Sequence, residues 1–185
     1  RQDHTQVWHG RTFVDPYHWL RDKDAPEVVK YLEAENAYTE AMTADLGLFA
    51  EALYAEMLGR IKQTDLGVPT RIGRFYYYRR TVEGLQYPIR CRKPAGRGGA
   101  FAEKAAEEVL LDQNAMAQGL PFLAIGDFEV SDDAGRLLYS LDDTGFRQYK
   151  LFVKDLARGA VQGPLAERVT SVAWAKDSAS VFYTT

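Results

Sequence analysis

The chain has 185 residues, of which 46% are hydrophobic, 12% aromatic and 26% charged, with a net charge of −3. That balance excludes a disordered, collagenous or low-complexity chain, and no run approaches the ~18 consecutive apolar residues of a membrane span. A single cysteine, Cys91, excludes an internal disulfide and a CxxC metal site, and it fits a reducing, cytoplasmic compartment.

The opening residues, Arg1-Gln2-Asp3-His4, carry neither an initiator Met nor the apolar run of a signal segment. They read as an extended arm. Asp24-Ala25-Pro26-Glu27 is a helix start, with Asp24 as the cap and Pro26 in the first turn. Val28, Tyr31, Leu32, Ala34, Tyr38, Ala41 and Met42 follow at helical spacing, and Gly47 is the expected stop. Phe49, Leu53, Met57 and Ile61 then recur once per turn on one face. The expected helices lie near 25–46 and 48–63, and Leu66-Gly67-Val68-Pro69 reads as a linker.

From Arg71 the pattern changes to short strands. Phe75–Tyr78 and Tyr87–Cys91 flank Glu83-Gly84, a hairpin signal. Pro88 restricts the second strand to an edge or to its own first residues. A Gly96–Gly99 loop and an Ala/Glu-rich stretch follow. Further strands are expected at 109–111, 122–130, 136–141, 149–153, 169–174 and 180–184. Turns at 132–135, 142–145 and 176–178 are supplied by Asp and Gly. Ser180–Thr185 is strand-like and no turn follows it, as expected of an interior piece of a longer chain.

A repeat is visible within this half. Val130-Ser131-Asp132-Asp133 with Leu137–Ser140 matches Trp174-Ala175-Lys176-Asp177 with Val181–Thr184, an offset of 177 − 133 = 44 residues. A period of ~40–45 built from short strands is the signature of a β-propeller blade. A β-sandwich has similar strand spacing but no reason to repeat at that period.

Few motifs carry chemistry. There is no G-x-S-x-G, and none of Ser131, Ser140, Ser171, Ser178 and Ser180 sits on the strand-to-helix elbow that a hydrolase nucleophile needs. His4, His9 and His18, with Asp15 and Asp22, match no zinc-finger or H-E-x-x-H spacing. Cys91 lies between Arg90 and Arg92, which can lower a thiol pKa; the better reading is a buried structural cysteine. Gly96-Arg97-Gly98-Gly99 lacks the Lys-Ser/Thr of a phosphate loop. Between Leu66 and Ala102 stand Arg71, Arg74, Arg79, Arg80, Arg90, Arg92, Lys93 and Arg97 against one acid, Glu83. That is a local charge of +7, leaving −10 for the remainder. With Tyr76–Tyr78 interleaved, residues 71–97 suit a single-stranded nucleic acid. The acidic balance of the whole chain, with a pI near 5.7, argues against that. A stand-alone β-rich interaction module is the other alternative.

The run Asp15-Pro16-Tyr17-His18-Trp19-Leu20-Arg21-Asp22 resembles the opening of the prolyl oligopeptidase family of serine peptidases. Tyr31–Thr39, Glu56–Asp65, Glu83–Ile89 and Glu108–Asn114 resemble its oligopeptidase B (protease II) branch. The resemblance implies the first blades of a seven-bladed propeller, joined in the whole protein to a C-terminal α/β-hydrolase domain absent here. It divides the chain into an arm with two helices, 1–66, that packs on that hydrolase domain, and a partial propeller of about two blades, 67–185. It implies a cytoplasmic peptidase that cleaves short peptides after Arg or Lys. No cofactor, metal or membrane is involved, and the propeller gates entry. The family's Ser, Asp and His triad lies in the hydrolase domain, so no catalytic residue is assigned in this chain, which alone should be inactive. Its substrate-binding residues stay unassigned.

Overall fold

The computed structural model describes all 185 residues, Arg1–Thr185. They divide between Ile61 and Lys62 into two units, ahead of the expected 66/67 boundary. Thr81 N donates to the carbonyl of Asp65, and Gly67 N to that of Arg79. These bonds tie the expected linker into the second unit.

The first unit opens with an antiparallel hairpin, β1 (His4–Trp8) and β2 (Arg11–Asp15), where the sequence suggested only an extended arm. Its turn is His9-Gly10, both at positive φ, 49° and 75°, the arrangement of a tight hairpin turn that matches strand twist. A 3-10 turn at His18–Arg21 leads to α1 (Pro26–Thr43). Asp24 does not cap α1. The cap position is Ala25, extended at φ −67° and ψ 133° with no side-chain bond, because the ring of Pro26 disfavours helical backbone in the residue before it. Nor is Gly47 a stop. Its φ of −55° is ordinary helix, and a 3-10 turn at Ala44–Leu46 runs directly into α2 (Gly47–Gly59). The second helix therefore ends before the expected residue 63, and Ile61 lies outside it.

The second unit is made of antiparallel meanders. β3 (Thr70–Ile72), β4 (Phe75–Arg80), β5 (Ile89–Pro94) and β6 (Glu108–Asp112) form one four-stranded sheet in chain order. A single helical turn, α3 (Gln113–Met116), is capped by the Asp112 carboxylate. β7 (Ala124–Val130), β8 (Arg136–Asp142), β9 (Lys150–Asp155) and β10 (Val161–Ala166) form the second sheet. β11 (Ser171–Trp174) and β12 (Val181–Thr184) form a further hairpin. β3, β10 and α3 went unread in the sequence, since each is short or broken by Gly and Pro. Pro88 sits just ahead of β5, as expected of a residue with no N–H for the ladder.

The 44-residue offset is structural. Ser131 N bonds to the Arg136 carbonyl and Ala134 N to the Ser131 carbonyl; Ala175 N bonds to Ser180 and Ser178 N to Ala175 in the same way. Asp133 and Asp177 each accept from the backbone N–H two residues on. The positive φ in these turns falls on Ala134 and Ser178, at 59° and 55°, rather than on Gly135. β11–β12 thus repeats β7–β8 and begins a third blade.

β8 shows how the blades stack. Leu137 and Tyr139 join Leu110 and Leu111 of the first sheet in one buried cluster. Leu138, on the opposite face, joins Leu151 and Val169, with Val172 and Trp174 packed beside them. A strand buried on both faces must be apolar in consecutive positions, and Leu137, Leu138 and Tyr139 are all buried.

Candidate functional site

The residues that drew attention in the sequence have settled structural surroundings. The Ser131 hydroxyl donates to Asp133 Oδ1 at 2.6 Å and accepts from Arg136 N. The buried Ser140 hydroxyl donates to Asp127 Oδ2 at 2.8 Å. Ser178 accepts from Asp133 N, and Ser180 donates to Asp177. Ser171 Oγ lies 2.8 Å from Thr184 Oγ1. Each hydroxyl thus serves a turn or a strand pair.

Within the first unit, His4 and His18 stack at 3.7 Å between ring centroids, and His18 Nδ1 lies 3.8 Å from Asp15. His9 is in the hairpin turn, and no three His, Cys, Asp or Glu side chains converge anywhere. Cys91 is buried. Its thiol is pushed up to about 12 by burial first and by Glu107 next, so the flanking arginines do not activate it. The Gly96–Gly99 loop is a 3-10 turn whose Gly99 carbonyl accepts from the Tyr76 hydroxyl at 2.7 Å.

The basic segment is where the structure adds most. β6 lies beside β5, and it and the residue just ahead of it bring two acids, Glu108 and Glu107, that stand just past the basic stretch in sequence. Arg92 is buried and makes a two-pronged bond to Glu108, at 2.7 and 2.9 Å. It also donates to the Ala134 carbonyl of the second sheet at 2.7 Å. Arg80 pairs with Glu107 at 2.9 Å, and the Tyr78 hydroxyl donates to the same carboxylate. Glu107 is held below the usual carboxylate range: its burial acts upward, but the Tyr78 and Arg80 bonds outweigh it. Arg74 donates to the Asp133 carbonyl, and it and Arg92 both lie over the Phe75 ring. Lys93 donates to the Glu103 carbonyl.

The bonds from Arg92 to Ala134 and from Arg74 to Asp133 cross the seam between the first two sheets, and the next seam repeats part of the pattern. Arg136 donates to the Ser178 carbonyl at 3.0 Å, where Ser178 matches Ala134 at the 44-residue offset. Trp174 Nε1 donates to the Glu129 carbonyl. Lys154 reaches back to the carbonyl of Leu110 at 2.8 Å, next to the register shift of β5 and β6. A cleft of about 890 Å³ opens at the first seam, walled by Arg74 and Tyr77 on one side and Phe128 and Asp132 on the other.

Of the eight basic residues only Arg80 and Arg92 have a carboxylate partner. Arg79 and Arg90 face each other across β4 and β5 and neither joins an ion pair. Arg90 lies over the Phe128 ring at 4.8 Å, and its Nε is buried with no hydrogen-bond partner. Burial, and then the charge of Arg79, lower its pKa. Sequence alone offered no way to separate this pair from the neutralised ones, because the distinction depends on which strand lies alongside.

Comparison with known proteins agrees with this architecture. The chain is 39% identical to dipeptidyl aminopeptidase BI of Pseudoxanthomonas mexicana over 95% of its own length and 26% of that protein. It is 35% identical to protease 2 of Moraxella lacunata over 100% of the chain and 27% of that protein. The structure of oligopeptidase B from Leishmania major superposes with a TM-score of 0.79 at 29% identity, covering 94% of this chain and 24% of that one. The chain therefore spans about a quarter of the length of these relatives. The family description "Prolyl oligopeptidase, N-terminal beta-propeller domain" matches residues 1–185, and with its repeating four-stranded meanders the chain belongs to the prolyl oligopeptidase family, as part of the N-terminal propeller region.

Proposed function

We propose that this chain is the substrate-gating portion of a cytoplasmic serine oligopeptidase that, as a whole protein, cleaves short peptides after Arg or Lys. The observation that carries the reading is the match to oligopeptidase B over nearly the whole chain, alongside 35% identity to protease 2. In this reading the reaction runs on a Ser–His–Asp triad of the C-terminal hydrolase domain. Serine attacks the scissile carbonyl, histidine takes and then returns the proton, and backbone amides hold the oxyanion. The propeller admits only short or unstructured chains. The arm and helices pack on the hydrolase domain. α2 supports this, because Leu48, Phe49, Leu53, Tyr54 and Met57 leave it apolar around its circumference and exposed, and a helix apolar all round is one that is buried on all sides.

The basic segment bears on specificity. A field of +7 repels basic peptides, but Glu107 and Glu108 neutralise Arg80 and Arg92 within the sheet. The same pairing removes Arg80 and Arg92 from the cations open to the nucleic-acid alternative. The test is activity of the complete gene product. Hydrolysis of Arg-linked chromogenic peptides in preference to Pro-linked ones, with labelling by a fluorophosphonate, is expected; this 185-residue chain alone should show neither. Preference for Pro-linked substrates would remove the Arg/Lys assignment. Stoichiometric labelling of any serine in this chain would overturn the assignment of the nucleophile to another domain.

A further inference from the structure

We propose that Arg79 and Arg90 form a carboxylate-binding site in the first blade, one that takes a carboxylate of a bound oligopeptide. The two guanidinium groups are paired across β4 and β5 in direct register. Like charges placed opposite one another on a sheet are destabilising, and a buried guanidinium N–H without an acceptor adds to that cost. Both penalties fall on Arg90, whose Nε is buried and unpartnered. The surrounding segment solves the same problem elsewhere by supplying acids: Glu107 for Arg80 and Glu108 for Arg92. No acid is supplied here. An anion held between the two groups relieves the repulsion, and a planar carboxylate fits the N–H groups that the guanidinium forks turn to the depression both residues line.

The place suits a ligand. A depression of about 310 Å³ opens beside the pair, walled by Thr70, Tyr77 and Phe128. Phe128 belongs to β7, the first strand of the second sheet, and holds the Arg90 plane at 4.8 Å, so the fork is oriented before any ligand arrives. The site suits a single anionic group and not a polyanion. The neighbouring Arg80 and Arg92 are already neutralised, so the cations next in sequence to the pair do not extend it along a nucleic-acid backbone. An apolar aromatic wall beside one guanidinium pair matches a peptide terminus or an acidic side chain. The word peptide rests on the peptidase reading; the anion site itself does not.

The experiment measures binding to the complete protein that carries this chain, using acetyl-Ala-Ala-Ala as free acid and as carboxamide, and acetyl-Ala-Glu-Ala-amide to separate a terminal from a side-chain carboxylate. Direct calorimetry should show one or both carboxylate peptides binding at least about tenfold tighter than acetyl-Ala-Ala-Ala-amide, as a charge-assisted pair provides. Arg79→Gln and Arg90→Gln should each bring the affinities together. Equal affinities in the unsubstituted protein would overturn the proposal, and that comparison needs no variant to fold. A preference that survives both substitutions would also overturn it. So would displacement of the peptide acid by oligothymidylate at lower concentration, which would assign the pair to phosphate. Hydrolysis of Arg-linked substrates, measured on the same samples, tests the peptidase reading separately. Activity without carboxylate preference removes only this site, and preference without activity removes only that reading.

Discussion

The two units of the chain solve the burial problem in opposite ways. Beyond Lys62 each sheet is covered by the next one, and a strand such as β8 is buried on both faces. Before it, Val28 is the one buried apolar residue, while α1 exposes Tyr38 and Met42 at 64% and 62% and α2 exposes Leu48 at 84%. α2 is apolar around its circumference and α1 carries apolar residues at helical spacing, yet neither creates a core within the unit. Repetition is what makes the difference. A blade that presents the same surface every 44 residues brings its own partner with it, whereas a pair of helices joined by one tight turn needs a partner from elsewhere.

The largest expected effect breaks this contrast at its strongest point. Leu138→Ala removes a fully buried side chain between the second sheet and the β11–β12 hairpin, and should cost about 2–5 kcal/mol. The matching change in the first unit, Leu48→Ala, should move the stability of this chain by less than about 0.5 kcal/mol. Urea titration of both variants checks the pair of values, and a large loss for Leu48→Ala would show that α2 is covered in solution.

Next comes the seam. Glu108→Gln leaves buried Arg92 with its backbone acceptor but without its carboxylate. Glu108 is itself 40% exposed, so the loss should be about 1–3 kcal/mol rather than the full cost of an orphaned buried charge. The denaturant midpoint should shift accordingly. If Arg92 were free to reach solvent, no shift would appear.

Cys91 offers a smaller, pH-dependent effect. Its thiol is raised to about 12 in the folded protein, against about 8.5 in an unfolded chain. The folded state therefore favours the protonated form. This contribution is fully present below about pH 8.5 and is lost as pH rises toward about 12, because the unfolded chain releases its proton first. At pH 8 the thiol should resist a thiol-specific reagent until the second unit unfolds, making its labelling rate a clock for that unit alone. Fast labelling under native conditions would place Cys91 at an accessible edge.

The smallest effect tests the repeat itself. Asp177 is depressed to about 2, chiefly by the backbone N–H groups of Ser180 and Ala179, with the Ser180 hydroxyl adding to them. Its support of the β11–β12 turn should be present above the unfolded value near 3.9 and fade as pH falls toward about 2. Asp177→Ala should remove that acid sensitivity from the hydrogen exchange of Val181–Thr184. Unchanged acid sensitivity would assign it to another titrating group and remove Asp177 from that role.

The residue pattern alone makes the blade legible, through chemistry that acts over a few positions. Asp133 and Asp177 bind their own turns, the strands between them alternate or run apolar, and the offset of 44 follows from counting. It makes the helices legible as well, though not their ends: the ring of Pro26 moved the cap from Asp24 to Ala25, and the 3-10 turn absorbed Gly47. What the charges do is visible only in the folded chain. Eight cations near a single acid look like one basic surface until β6 is laid beside β5. Glu107 and Glu108 then neutralise Arg80 and Arg92, the seam claims Arg74, and Arg79 and Arg90 are left facing each other. Backbone turns and strands depend on neighbours in sequence, but an ion pair depends on which strand lies alongside, and that is fixed only when the sheet has formed.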